Sequence, residues 1–466
     1  MRKLAGFFLI FFLLTACNDN DAASQTPITD NSRLFDLSQL PEIQLKVSLQ
    51  QWNKLLQNFD QNPKNEKKVV AGFSYLLNGQ TITLDSIGLK LRGNTSRRRP
   101  EGSTGQMHNA AGADWHHSHF SIDFNKTRPN QLFNGLEKIN LKWFKDDASY
   151  VREIYCYDLF KRFGVWTAPK ASYCRLSIKV EGDAAPAYFG IYAMIESVDE
   201  KFIEARASHW NASPGYLWKG SNLGSDAADF VSTSSIGVED VKLNPAQSQY
   251  YAYDLKTRQD ELPGAKSQLI AFINDLNSKT GSDFQSWIAT KMDVDLFLKT
   301  YATSVMLGMW DDYWMNKNNF YFYFASDGKA YFIPYDYDNT LGTSYLVPNS
   351  GTLDPLNWGP ATGRPLVNKI LAIPEYAQKY KQYVKELSNP QKELFQKTAS
   401  IQRISAWQQL LIAPYVTNDT GEDMTVTDTP ASWGNAPFYR LLSGNASGGS
   451  NGNANYFSSR IATIPW

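Results

Sequence analysis

Residues 320–335, FYFYFASDGKAYFIPY, leave the chain little conformational choice. Two aromatic, strand-forming runs flank Asp327-Gly328, a pair suited to the left-handed backbone of a tight hairpin turn. The runs are predicted to pair antiparallel, which makes the start of the first a neighbour of the end of the second. WDDYWMNKNN (310–319) is thereby brought against YDYDN (335–339), and Asp311, Asp312, Asn316 and Asn319 against Asp336 and Asp338. Carboxylates and amides gathered at one point attract a hard divalent cation. An all-oxygen set with no His or Cys nearby favours Mg²⁺, Mn²⁺ or Ca²⁺ over zinc. An aspartate in a turn is usually only a turn residue; that suits Asp327, and suits a whole cluster of acids and amides poorly.

The hairpin follows the clearest helical pattern in the chain. Asp293 can cap residues 293–309, where Val294, Phe297, Leu298, Tyr301, Ala302 and Val305 recur at helical spacing up to Gly308. Earlier segments alternate like strands: 69–94 around Asn78-Gly79, then 118–126, 138–143, 171–180, 187–196 and 215–220. Helical patterns interrupt them at 151–163, ended by Gly164, and at 197–207. The pattern predicts an α+β chain with a β-rich part at 35–220, an irregular Ser/Asp/Asn/Gly-rich insertion at 221–264, and a helical part at 265–466. The last carries the acidic hairpin and a Gly/Ser/Asn-rich stretch at 443–455.

The N-terminus reads as an address. Arg2 and Lys3 precede an apolar Leu4–Leu14 run too short to span a bilayer, and Leu14-Thr15-Ala16-Cys17 closes it. This resembles a bacterial lipoprotein signal of residues 1–17 with Cys17 as the lipidated residue; an ordinary secretory signal is the alternative. Residues 18–34 then serve as a flexible tether. Asn18 after the cysteine favours the outer membrane, where the cell has one. The expected location is the cell envelope, lipid-anchored and extracytoplasmic. Lys+Arg and Asp+Glu balance at 46 each, which argues against a nucleic-acid partner. Cys156 and Cys174 could pair there or stay as buried thiols.

The order helix, acidic loop, hairpin, acidic turn is similar to a protein-kinase active site. Asp311 and Asn316 reproduce the spacing of the catalytic Asp and metal-binding Asn, and Asp336 takes the second metal position. The HRD and DFG words are absent, which excludes an ordinary protein kinase and leaves an atypical one. LKLRGNTSR (89–97), INLKWFKDDASYVRE (139–153), FGIYAMIESVDEKFIE (189–204), YLWKG (216–220), MWDDYWMNKNNFYFYF (309–324) and FIPYDYDNTLG (332–342) together resemble the spore-coat-protein-H (CotH) kinase family.

The resemblance covers about residues 35–385. It implies an atypical protein-kinase-like two-lobed fold, with a β-rich N-terminal lobe and a helical C-terminal lobe holding the metal-binding hairpin. It also implies transfer of phosphate from ATP, with Mg²⁺ or Mn²⁺, to Ser/Thr of a surface or secreted protein. Asp311 would be catalytic. Asp336, with Asn316 or Asn319, would hold metal, and Asp338 would add a contact or fix the turn. Glu196 would anchor a phosphate-binding lysine or a metal, and Arg92 or Arg152 would face phosphates. Where the family usually has a basic strand start, this chain has WHHSHFSIDF (115–124), so the phosphate lysine would be Lys90, Lys142 or Lys219. His116, His117 and His119 are expected in a solvated loop, the alternative being a metal- or phosphate-binding cluster.

Two other function classes compete. Asp336-Tyr337-Asp338-Asn339-Thr340 fits the D-x-D-x-T pattern of haloacid-dehalogenase-type phosphatases. That chemistry requires the motif after the first strand of a parallel sheet, not at the end of a late hairpin. A non-catalytic, metal-dependent surface adhesin would also explain an aromatic-rich lipoprotein with a carboxylate cluster. Glycoside hydrolysis has no separated acid and nucleophile to support it.

Overall fold

The computed structural model describes residues 31–210, 214–223, 226–343, 346–347, 350–416, 425–430, 438–443 and 455–465. Cys17, the leader and most of the 443–455 stretch lie outside the described residues. The chain is α+β. The first strands are β1 (Glu42–Val47), β2 (Val69–Leu77), β3 (Gln80–Leu91), β4 (Phe120–Asp123), β5 (Lys138–Lys142), β6 (Ala171–Val180) and β7 (Ala187–Glu196). They close into a barrel in the order β1-β2-β3-β4-β5-β7-β6, sealed by parallel pairing of β1 with β6. Closure removes the exposed edges that a β-rich open sheet would present. Asn78 and Gly79 both take positive φ (50° and 77°), which gives the β2–β3 turn the twist that flanking strands need.

Inward-facing Ile43, Leu45, Ile87, Phe120 and Ile139 are fully buried, and α1 (Leu49–Gln61) adds Trp52 and Leu56 to the same core. The tether is shorter than its sequence suggests: Leu34 is buried in this core, because its apolar side chain finds a pocket beside Ser172, whose hydroxyl donates to the Leu34 carbonyl (3.1 Å).

Helix α2 (Arg152–Arg162) leaves β5 and contacts β6 on one side. Asp147 fixes its start by accepting the Val151 and Arg152 amides (2.9 and 2.8 Å). After β7 come α3 (Glu200–Glu204), β8 (Tyr216–Gly220), a small ribbon of β9 (Asn222–Leu223) and β10 (Asp226–Ala227), then β11 (Ile236–Gly237) and β12 (Tyr253–Leu255). Helices α4 (Leu262–Ser278), α5 (Gly281–Lys291) and α6 (Val294–Leu307) precede the hairpin of β13 (Phe320–Phe324) and β14 (Ala330–Pro334). Helices α7 (Pro365–Leu371), α8 (Pro374–Leu387) and α9 (Lys397–Ser405) follow it.

The second sheet runs β11-β12-β8-β13-β14. Strand 216–220 therefore belongs with the hairpin rather than with the first strands, and the 221–264 stretch supplies two strands to the same sheet. The close fit at Gly220 explains this pairing: a Cβ there would lie 2.2 Å from the Phe320 ring, so only glycine admits the facing aromatic strand. Helix α6 is capped by Asp293, which accepts the Leu296 amide (3.0 Å), and ends at Gly308 (φ 66°). It packs on α8 and β14 and fixes the acidic loop at its C-terminal end.

Candidate active site

At the open end of the hairpin Phe320 pairs with Pro334, and Asp311 lies near enough to feel the Asp336 charge. Asp311 is caged by amides. Its Oδ1 accepts from Asn316 (2.6 Å) and Asn318 (3.1 Å), and its Oδ2 from Asn319 (3.0 Å). Lys317 and Asn319 take positive φ (58° and 52°), which folds the loop back onto its own carboxylate. Burial raises the Asp311 carboxyl above its ordinary range; the amide donors oppose this and the nearby Asp336 charge adds to it. Asp312 is not part of this group. It is 1 % exposed, and its Oδ1 accepts the Met315 amide (3.1 Å).

The second cluster spans the molecule. Lys142, at the end of β5, places its ammonium on Glu153 of α2 (2.6 Å), on Asp336, and 3.3 Å from Asp338. Carboxylate oxygens of Glu153, Asp336 and Asp338 all lie within 4.8 Å of one another. Asp336 takes positive φ (63°) just after β14, and its amide donates to the Tyr157 hydroxyl (3.0 Å), which turns the carboxylate toward the lysine. Burial pushes Asp336 up, but Lys142 and Arg92 outweigh it and hold the carboxyl at about 2. Burial dominates at Asp338, which is held well above the usual range, with Asp336 and Glu153 adding to the shift against Lys142. Burial also raises Glu153.

Three acids around the Lys142 ammonium, with Arg92 acting on Asp336 as well, leave a surplus of carboxylate in a partly buried site, and the protons belong to the group rather than to one residue. That surplus, in an all-oxygen donor set, fits a divalent cation. The Asn316 carbonyl oxygen is already engaged by Asn222 (3.1 Å), whereas the Asn319 amide oxygen has no hydrogen bond among the described residues.

Several other residues singled out in the sequence stand elsewhere. Arg152 is fully buried, its guanidinium on Asp147 and Ser149 (3.2 Å), facing the start of α2 rather than this cleft. Glu196 holds Arg206 through two bonds (2.7 and 3.1 Å) and accepts the Lys170 amide (3.0 Å), so its carboxylate anchors an arginine, not a lysine. Arg92 does reach the site, donating to the Tyr335 hydroxyl (2.5 Å). Lys219 makes no hydrogen bond or ion pair with its ammonium among the described residues; Lys90 pairs with Glu66.

The histidines do not form a solvated loop. His117 is 1 % exposed, stacks on Trp143 (4.4 Å, 3° between planes) and lies 2.7 Å from the Phe189 carbonyl, to which its Nε2–H donates. His119 Nδ1 accepts the Trp143 amide (2.9 Å). Burial drives His117 down to about 4 and His119 well below its usual value, so both are neutral struts. His116 is half-buried, 3.5 Å from the Asp428 carboxylate. Cys156 and Cys174 are separate buried thiols. The phosphatase alternative fails on topology, since Asp336 follows an antiparallel edge strand.

Glu153 is the site residue the sequence did not single out. Its signal was a lysine ending one strand followed by a glutamate in the first turn of the next helix, both within 139–153.

A family model described as "CotH kinase protein" matches residues 90–440. Spore coat protein homolog 1 of Rhizopus delemar is 23% identical over 372 residues, which cover 76% of this chain and 51% of the fungal protein. The chain thus spans about half the length of that curated relative.

Proposed function

Because the chain belongs to the CotH kinase family, we propose that it is an atypical kinase that transfers a phosphoryl group from ATP to a Ser or Thr hydroxyl of a surface or secreted protein. The observation that carries this reading is the Lys142–Glu153 ion pair (2.6 Å), which joins a strand lysine to a helix glutamate beside Asp336. Phosphoryl transfer asks a protein for positioning and charge, and a lysine oriented by a helix glutamate next to a metal-holding aspartate supplies both.

In this reading the barrel and the helical part form the two lobes, and the nucleotide lies between them. Glu153 keeps the Lys142 ammonium aimed into the cleft, where it binds donor phosphates once Asp336 and Asp338 turn to the cation. Arg92 stands beside it. Asp336, Asp338 and the Asn319 amide oxygen would hold Mg²⁺ or Mn²⁺, whose charge offsets that of the phosphates. Asp311 orients the acceptor hydroxyl and takes its proton, and its amide cage keeps the carboxylate fixed for that step.

The lipoprotein-type leader supports an anchored, extracytoplasmic protein acting on its neighbours, with Cys17 carrying the lipid. Cys17→Ser is expected to release the protein from membranes on fractionation. The kinase reading is tested by ATP-induced melting and autophosphorylation with and without Mn²⁺. Failure of the unmutated protein to bind nucleotide in the presence of metal would leave the surface-adhesin alternative standing.

A further inference from the structure

A second set of cations adjoins the site: the charge of Lys219 acts on the Asp336 carboxylate, and that of Arg92 on Lys219. Lys219 projects from β8 on the face shared with its register partners Asp254 of β12 and Tyr321 of β13. Lys256 pairs with Asp254 and stands 3.8 Å from Glu239. From the barrel side, Lys90 and Arg97 share the single carboxylate of Glu66. Burial, then Arg97, Lys256 and Arg92, bring Lys90 down to about 7, so the two sides sense each other's charge. Lys219 alone among these cations has no counter-ion within ion-pair distance among the described residues. Lys219 and Lys90 are half-buried and the Glu66 carboxylate is 42% exposed, so the wall is recessed yet open to solvent.

Resting on the kinase reading, we infer that this wall selects the acceptor: it binds an acidic side chain, carboxylate or phosphorylated, close to the accepting hydroxyl of the protein substrate. A metal-bound triphosphate is already met by Lys142 and Arg92. Half-buried lysines suit a projecting side chain better than a flat bilayer surface. An acceptor anion here gains a charge-assisted contact with Lys219 that breaks no existing ion pair.

The test uses fluorescein-labelled serine peptides flanked by Asp, phosphoserine, Ala or Lys, and anisotropy with the full chain. The Asp or the phosphoserine peptide, or both, should bind at least tenfold tighter than the Ala peptide, and which of the two does so tells carboxylate from phosphate recognition. Lys219→Glu should remove that preference, and Lys219→Gln, which adds no negative charge near Asp336, reduce it about threefold with the ATP-induced melting shift retained. Equal binding of all four peptides overturns the inference. So does a Lys219→Glu chain that loses the nucleotide shift and keeps the peptide preference, which would assign the lysine to donor phosphates. Peptide binding is read without ATP, so the wall is tested even in a chain that fails to bind nucleotide.

Discussion

Asp311 and Asp336 flank the open end of one hairpin and are held in opposite ways. Asp311 is surrounded by neutral amides, which fix its geometry without cancelling its charge. Asp336 is bound by a buried ammonium that also serves Glu153 and Asp338. Neutral donors suit a group that must receive a proton in place; a shared cation suits a group whose partner is exchanged when metal and phosphate arrive. The two aspartates should therefore fail differently.

The largest effect is expected from removing them. Asp336→Ala should abolish the Mn²⁺-dependent melting shift with ATP, and phosphoryl transfer with it. Asp311→Asn should leave that shift in place while lowering turnover by about 10²–10⁴-fold, the usual worth of a positioned acid–base group. If both variants lose nucleotide binding alike, the division of labour between them is wrong.

Lys142→Met probes the cation side. It leaves buried Glu153 beside Asp336 and Asp338, whose side chains are 32% and 34% exposed, so the loss in urea unfolding should fall short of the roughly 3–5 kcal/mol of a broken, fully buried pair. Millimolar Mn²⁺ should recover much of it, because the ion replaces the missing charge. No comparable rescue should be seen for Asp311→Asn, which removes a charge instead of leaving carboxylates without their ammonium.

Titration separates the site from the barrel by sign. Asp338 is raised by burial, so the native state holds its proton above the unfolded value and that contribution falls as pH rises through this window. His117 works the other way. Depressed to about 4 from an unfolded value near 6.5, it contributes stability above pH 6.5 that is lost toward pH 4, about 3 kcal/mol across that interval. His117→Gln should flatten the acid fall of a melting curve series, and a profile unchanged by that substitution would place the acid sensitivity elsewhere.

What the sequence could reveal of this arrangement follows chain distance. Asp311 and Asp336 were legible because a short hairpin joins them; its turn, Ser326-Asp327-Gly328 with Gly328 alone left-handed (φ 80°), is one residue longer than an Asp-Gly pair suggests. Helix α6 was legible from its caps and spacing. The Lys142–Asp336 contact joins residues 194 apart, and closure of the barrel needs β1 beside β6, which carries no local signal. The histidines misled for the same reason. Polar residues in a His-rich stretch look solvated until Trp143 and the Phe189 carbonyl close over them.

The smallest effect discriminates between two amides that one spacing rule cannot separate. Asn316 and Asn319 both donate to Asp311, so losing either removes a hydrogen bond that favours the ionised carboxylate, a change of about 1 kcal/mol. Each alanine variant should therefore raise the Asp311 carboxyl further and move the acid limb of kcat/KM to higher pH. Of the two, Asn319 alone has an amide oxygen left over among the described residues, because Asn222 occupies that of Asn316. Asn319→Ala should raise the Mn²⁺ concentration needed for half-maximal activity roughly tenfold, the scale of one lost ligand contact, while Asn316→Ala leaves it unchanged. Equal metal dependence in the two variants would return Asn319 to a purely positioning role and leave Asp336 and Asp338 as the hairpin's metal-facing groups.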